Sequence, residues 1–290
     1  MARDKKNKTT KRIFGKTSFF NGGVVKDIPD ERDFLFGISP IFEAQRASLP
    51  RKVDWSNELS PIKYQGRKGA CVAFSAVGLK EWHEQKEHLA EVADGKRDNR
   101  KGIPYFDLSE QWVYHNCKKI DGIPNTSGTY LRTALKVLHK IGVPTEAGWK
   151  YTDSPDIGKP ESWSHMVAKW NRIGSYESIN SLQELKSALC DSPVMMGMEV
   201  FEEMVKSRLV GGVVPMPNKS SRRFGGHAVL AVGFDDKTGL IKYKNSWSRF
   251  WGEAGYGYIH YDYYVRYVWS CWKANDISVT KEMLKGTTTL

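Results

Sequence analysis

Pro61-Ile62-Lys63-Tyr64-Gln65-Gly66-Arg67-Lys68-Gly69-Ala70-Cys71-Val72-Ala73-Phe74-Ser75 is the stretch that organises this chain. A turn carrying Gly66 and Gly69 delivers Cys71 to the start of an apolar run at 72–79. The first two turns of that run are apolar on every face, the pattern of a buried helix. At a helix start, unpaired N–H groups and the helix dipole stabilise negative charge, so they favour the thiolate, the reactive form of a thiol. A lone cysteine in an apolar run is equally compatible with a small core hydrophobe. Gln65, six residues upstream across the turn, favours the reactive reading. A side-chain amide beside the nucleophile's own N–H makes a pair of donors for the oxyanion of acyl transfer.

Gln65-Gly66-x-x-Gly69-Ala70-Cys71-x-Ala73-Phe74-Ser75 resembles the nucleophile segment of the papain family of cysteine peptidases. Where that family usually has Cys-Gly-Ser-Cys-Trp, this chain has Lys68-Gly69-Ala70-Cys71-Val72, without the disulfide cysteine and the aromatic residue. The resemblance implies a His and an Asn downstream. Gly226-His227-Ala228-Val229-Leu230-Ala231-Val232-Gly233-Phe234 opens an apolar strand with one histidine, which alone reads more readily as a structural His. It also resembles the family's His motif. Lys244-Asn245-Ser246-Trp247 and Trp251-Gly252-Glu253-x-Gly255-Tyr256 resemble the Asn segment, the most specific match in the chain. By resemblance, Cys71, His227, Asn245 and Gln65 are the catalytic set, and Trp247 shields the His–Asn bond from water.

Further matches are Leu108-Ser109-Glu110-Gln111 and the segment Gly128-Thr129, which stands where the family has a Gly-Gly pair that hydrogen-bonds an extended substrate. Gly128, Thr129, Gly226 and Trp247 are therefore the expected substrate-binding residues. An apolar specificity pocket is expected with walls from 194–198, whose Met residues suggest adaptability, and from the segment before His227. The expected mechanism needs no metal or organic cofactor.

Periodicity supplies the frame. Ser109 is a candidate N-cap for a helix burying Trp112, Val113, Cys117 and Ile120. Leu131, Ala134, Leu135 and Leu138 mark a third helix ended by Gly142 and Pro144, and Ser181-x-x-Glu184 is a capping box. Strands are expected at 194–200, 227–234, 240–244 and 256–261. The polar continuation of the Cys71 helix suggests that His83 and His88 are solvated, and 93–102 has the composition of an exposed loop. Helices followed by strands give an α+β class. The resemblance refines it to a papain-like two-domain fold, with the active-site cleft between a helical part at about 62–160 and a β-barrel-like part at about 161–275.

Composition is consistent with that size, at 290 residues and 40% hydrophobic. Cys71, Cys117, Cys190 and Cys271 lie far apart, which indicates neither a zinc site nor a disulfide framework and suits a reducing, cytoplasmic compartment. No secretory-signal core and no membrane span are apparent. The formal charge of +11 is concentrated at the start, where residues 1–16 hold seven Lys or Arg against Asp4. Residues 1–20 read as a disordered tail with no nucleic acid required as a partner. Residues 21–49, with apolar positions at 28–36, read as a removable pro-segment or a permanent brace. The peptidase domain is expected at 50–275 and a tail at 276–290. The expected activity is a cysteine endopeptidase acting on peptides or proteins. An aminopeptidase, amidase or transpeptidase using the same thiol, or an inactive module retaining the cleft, are the alternatives.

Overall fold

The computed structural model describes residues 23–38, 42–43, 49–96, 106–206 and 211–277. The basic start, most of 39–48, residues 97–105 and 207–210, and the end beyond 277 lie outside the described residues, and with them most of the stretch 93–102 expected as an exposed loop. Strand β1 (Val24–Val25) belongs to the N-terminal segment, and β2 (Lys52–Asp54) opens the main body. Then come α1 (Cys71–Ala93), α2 (Glu110–Ile120), the short β3 (Thr129–Tyr130), α3 (Leu131–Lys140) and α4 (Ser164–Ala168). The second half runs β4 (Ile173–Ser178), α5 (Leu182–Leu189), β5 (Val194–Phe201), α6 (Glu202–Lys206), β6 (Val213–Val214), β7 (Arg223–Asp235), β8 (Leu240–Lys244), β9 (Tyr256–His260), α7 (Tyr261–Tyr267) and β10 (Val268–Asp276).

One sheet has the order β4-β10-β5-β7-β8-β9-β6, with β2 added to β7. Its pairings are antiparallel except β6 with β9. Strand β7 is central and apolar on both faces, which explains its nearly unbroken hydrophobic run. Successive side chains alternate between faces. Ala228, Leu230 and Val232 enter a core shared with Val72 and Val77 of α1, Trp112 of α2 and Leu131, Leu135 and Leu138 of α3. Val229, Ala231 and Phe234 enter a second core with Leu185, Leu189, Tyr243, Trp251 and Tyr263. The α+β architecture is thus two cores divided by one sheet.

Local chemistry fixes the helix ends. Ser109 Oγ accepts from Trp112 N at 3.1 Å. Ser181 Oγ accepts from Glu184 N at 3.1 Å while Glu184 reaches back to Asn180 N at 2.9 Å. Such caps contribute about 1 kcal/mol each. Helix α1 has no side-chain cap, so its first N–H groups are left to whatever lies beyond Cys71.

Four expectations need correction. His83 and His88 are buried, His83 because the end of β10 packs over the polar half of α1 and His88 with the Phe106 ring 6.1 Å away. His83 Nε2 lies 3.2 Å from Ala274 O, and Lys80 is neutralised by Glu84 and Asp276 at 2.7 Å each. Ile120, by contrast, is 54% exposed at the last turn of α2. Strand β7 starts at Arg223, four residues before the expected 227. Met196 and Met198 point into the second core and not toward the cleft, since Gly197 between them takes the opposite face.

Candidate active site

The turn before Cys71 is stitched to the Asn245 segment by backbone bonds, Gln65 N to Ser246 O at 3.0 Å and Ser248 N to Lys63 O at 3.2 Å. Gly66 has φ 63°, and a Cβ there would fall 2.1 Å from an Asp153 oxygen, so no other residue fits this corner. Lys63 anchors the near side through Glu81, Glu110 and Asp107 at 2.7–2.8 Å. Lys68, at the position of the missing disulfide cysteine, replaces a covalent tie with polar ones. Its Nζ donates to Gln111 Oε1 at 3.1 Å and to Thr152 O, and it lies over the rings of Tyr114 and Tyr151. Tyr151 in turn donates to Gln65 O at 2.7 Å.

Cys71 stands at the first position of α1 with Sγ accepting from Ala228 N at 3.3 Å. The residue before Ala228 is His227, whose Nε2 lies 2.8 Å from Asn245 Oδ1. A carboxamide oxygen only accepts, so Nε2 carries the hydrogen and, in the neutral ring, Nδ1 is the nitrogen able to take a proton. Asn245 Oδ1 also accepts from Ser246 N at 2.8 Å, which fixes the amide's orientation. Trp247 stacks on His227 with centroids 4.5 Å apart and planes 26° apart, and Trp251 meets Trp247 edge-on. Gln65 is buried with Oε1 accepting from Ser246 Oγ at 2.6 Å and Nε2 donating to Lys68 O at 3.0 Å. One amide hydrogen of Gln65 is thereby engaged with Lys68.

The site is closed by the chain's own N-terminal segment. Strand β1 pairs parallel with β3, Val24 opposite Thr129 and Val25 opposite Tyr130. Gly23 N donates to Gly226 O at 3.0 Å and Thr129 N to Gly23 O at 3.2 Å, so the segment is held on both walls of the cleft. A Cβ on Gly23 would lie 2.5 Å from Cys71 Sγ and 2.9 Å from Gly69 O. Val24 fills a recess beside Gly197, Leu131 and Gly226, where a Cβ on Gly226 would meet Val24 O at 2.6 Å. Among the expected substrate-binding residues, Thr129 and Gly226 hold this segment and Trp247 stacks on the imidazole. Gly128 instead offers its carbonyl to Lys118 Nζ at 3.0 Å.

Closure sets the charge state. Burial pushes the Cys71 thiol up to about 12, outweighing the N–H groups of Ala228, Val72, Cys71 and Gly23 that pull the other way. Burial likewise lowers His227 to about 4, against the bond to Asn245. The helix-start effect expected at Cys71 is present but overridden here, because desolvation penalises any charged form. Ser246, Lys68 and Tyr151 were not anticipated as parts of this site. The absent disulfide cysteine at 68 was the available signal that another tie must hold the turn.

Residues 49–275 match the family model described as papain family cysteine protease. The chain belongs to that family. It is 28% identical over 268 residues to an uncharacterised peptidase C1-like protein of Acanthamoeba polyphaga mimivirus, a match covering 84% of this chain and 82% of the viral one. It is 31% identical to the senescence-specific cysteine protease SAG12 of Arabidopsis thaliana, covering 74% of this chain but 58% of that protein. Among solved structures it is similar to xylellain, a cysteine protease from Xylella fastidiosa, with TM-score 0.76, 29% identity and coverage of 89% of this chain and 97% of that one. The papain-like α+β fold is therefore shown, and membership makes the chain a cysteine peptidase of papain type. No described helix is long and apolar enough to cross a membrane.

Proposed function

We propose that Cys71 is the nucleophile of an endopeptidase that is latent while Gly23–Asp27 occupies the cleft. The observation that carries this reading is the juxtaposition of a thiol at a helix start with the residue pair His227 and Asn245, linked by Ala228 N to Sγ. Once the segment withdraws, water and the N–H groups around Sγ favour the thiolate, and His227 takes its proton. The sulfur attacks a peptide carbonyl and forms the C–S bond. The oxyanion is held by the Cys71 N–H and the amide of Gln65, whose orientation Ser246 fixes. His227 then protonates the departing amine as the C–N bond breaks. Water hydrolyses the thioester, releasing the carboxylic acid and restoring the thiol. All four cysteines are free, which supports action in a reducing, cytoplasmic setting.

Limiting iodoacetamide near neutral pH, followed by peptide mapping, tests the assignment. Slow labelling confined to Cys71 is expected, and an adduct on Cys117, Cys190 or Cys271 with Cys71 untouched refutes it. Gln65→Ala should lower kcat about 100- to 1000-fold with little change in KM. A folded variant with near-normal kcat removes Gln65 from the oxyanion role.

A further inference from the structure

Asp27, at the far end of the segment in the cleft, sits in a site made wholly of donors. Its Oδ1 accepts from Arg132 N at 3.2 Å, and its Oδ2 accepts from Trp272 Nε1 at 2.8 Å and from Ser270 Oγ. The indole also lies 3.1 Å from Ser270 Oγ, so the hydroxyl accepts from Trp272 and turns its own hydrogen toward the carboxylate. Trp272 is 3% exposed and Ser270 9%, and Trp272 is wedged edge-on against Tyr176 at 5.8 Å. The Arg132 guanidinium, beside this site, bonds Asp33 Oδ2 and Ile28 O at 2.6 Å each and lies 3.8 Å from Asp30. Every one of these partners belongs to the same N-terminal segment.

We propose that Arg132, Ser270 and Trp272 form a carboxylate-binding site of the open cleft, which Asp27 fills in the latent chain and an acidic side chain of the peptide substrate fills in the active one. The inference rests on the latency reading above. When Gly23–Asp27 leaves, the Arg132 N–H, the Ser270 hydroxyl and the Trp272 indole N–H lose the Asp27 carboxylate together, while the Arg132 guanidinium stays beside the site. Buried N–H and O–H groups left unpaired are costly, so they select a ligand that restores acceptors. A carboxylate matches because it is acceptor-only, whereas the isosteric amide sets an NH2 against the indole or the hydroxyl. The recess beside it, filled by Val24, accounts for an apolar neighbour on the same ligand.

The test uses full-length chain carrying Asp27→Asn and Cys71→Ala, so that binding is read without cleavage. Acetylated, amidated peptides in which one Asp or one Asn is moved along an otherwise neutral sequence are titrated by fluorescence polarisation. The tethered segment competes equally with both members of each pair, so their ratio is unaffected by it. At one position Asp should bind at least about tenfold more tightly than Asn. Ser270→Ala and, separately, Trp272→Phe should each bring that ratio toward one. Ratios below about twofold at every position, or a ratio that survives both substitutions, overturn the site. If instead the only preference is for a free C-terminus over an amidated one, the carboxylate is that of a chain end and the side-chain assignment is wrong. With Cys71 restored, Asp27→Asn should also be alkylated faster than wild type. Failure of latency then shows as unchanged alkylation with the Asp preference intact, whereas failure of this inference shows as faster alkylation with no preference.

Discussion

The two halves of the N-terminal segment are held by opposite means. Residues 23–27 lie in the cleft through backbone bonds to Gly226 and Thr129 and through the Asp27 carboxylate, with Val24 as their buried apolar side chain. Nine residues beyond Asp27, the Phe36–Ile38 turn is held by one fully buried ring. Phe36 packs into the second core with Ile179, Leu185 and Leu189, with Phe42 at 5.7 Å and the Lys273 ammonium 5.1 Å from its ring. Hydrogen bonds exchanged for water contribute little net free energy, whereas a buried aromatic ring contributes several kcal/mol. We therefore propose that residues 23–27 are a plug that leaves the cleft and residues 36–38 an anchor that stays. An anchored plug rebinds as an intramolecular ligand, with effective concentration set by a short linker. On this proposal the brace reading applies to residues 36–38, and residues 23–27 are displaced while tethered, not removed from the chain.

The largest expected effect comes from removing the anchor. Phe36→Ala leaves a cavity among Ile179, Leu185 and Phe42 and should destabilise the chain by about 3–5 kcal/mol. Alkylation of Cys71 should accelerate at the same time, since the plug loses its tether. A melting temperature lowered by several degrees with unchanged alkylation would show that the plug holds without the anchor, and the division proposed above would fail.

What the sequence made legible follows the same division. The catalytic candidates and the helix caps are written in contiguous residues, Gln65 to Ser75, His227 with Ala228, Asn245 to Trp251, Ser109 and Ser181. Each of those signals depends on spacing along one element or turn. The misread positions depend on distant partners. His83 is dry because Ala274, 191 residues away, covers it. Lys68, for which the sequence carried no expectation, replaces a disulfide only because Gln111 and Thr152 meet it across the fold. Met196 and Met198 were assigned to the wrong side because strand phase relative to the cleft is set by pairing with β7 and β10. Asp27 gave no signal, since its donors come from Arg132, Ser270 and Trp272, more than a hundred residues on.

Acid should distinguish the halves next. In Cys71→Ala, where no thiolate pairs with the imidazole of the open site, His227 is lowered to about 4 with the plug in place, against about 6.5 for the exposed ring. The closed state thus binds fewer protons than the open one between those values. Its stabilisation is complete above pH 6.5 and is lost as pH falls toward 4, by an amount on the order of 3 kcal/mol. Global melting is a poor readout, because burial raises Glu110 and Glu146 and these carboxyls favour the folded state at lower pH. Hydrogen exchange, corrected for intrinsic rates, is local. Protection of the 23–27 amides should fall between pH 7 and pH 4 while that of 36–38 persists, and His227→Gln should flatten the first response. Parallel loss of protection in both stretches would mean that the segment opens as one piece.

The smallest change tests the plug alone. Gly23 is the point of closest approach, and a methyl group there meets Sγ at 2.5 Å and the Gly69 carbonyl at 2.9 Å. The Gly69 contact is with backbone and cannot rotate away. Overpacking of this kind costs about 1–3 kcal/mol, which is comparable to the few hydrogen bonds that seat the strand. Gly23→Ala should therefore lift the plug from the thiol while Phe36 keeps its place, leaving the melting temperature within a few degrees of wild type. Iodoacetamide should reach Cys71 at least about tenfold faster, as 1.4 kcal/mol of lost closure implies, and peptide hydrolysis by the full-length chain should rise in parallel. Faster alkylation without any rise in hydrolysis would place the block on substrate elsewhere along the segment, at Val24 or Asp27. Unchanged alkylation would show that the strand yields around the methyl group and that its grip on the cleft exceeds what its hydrogen bonds supply.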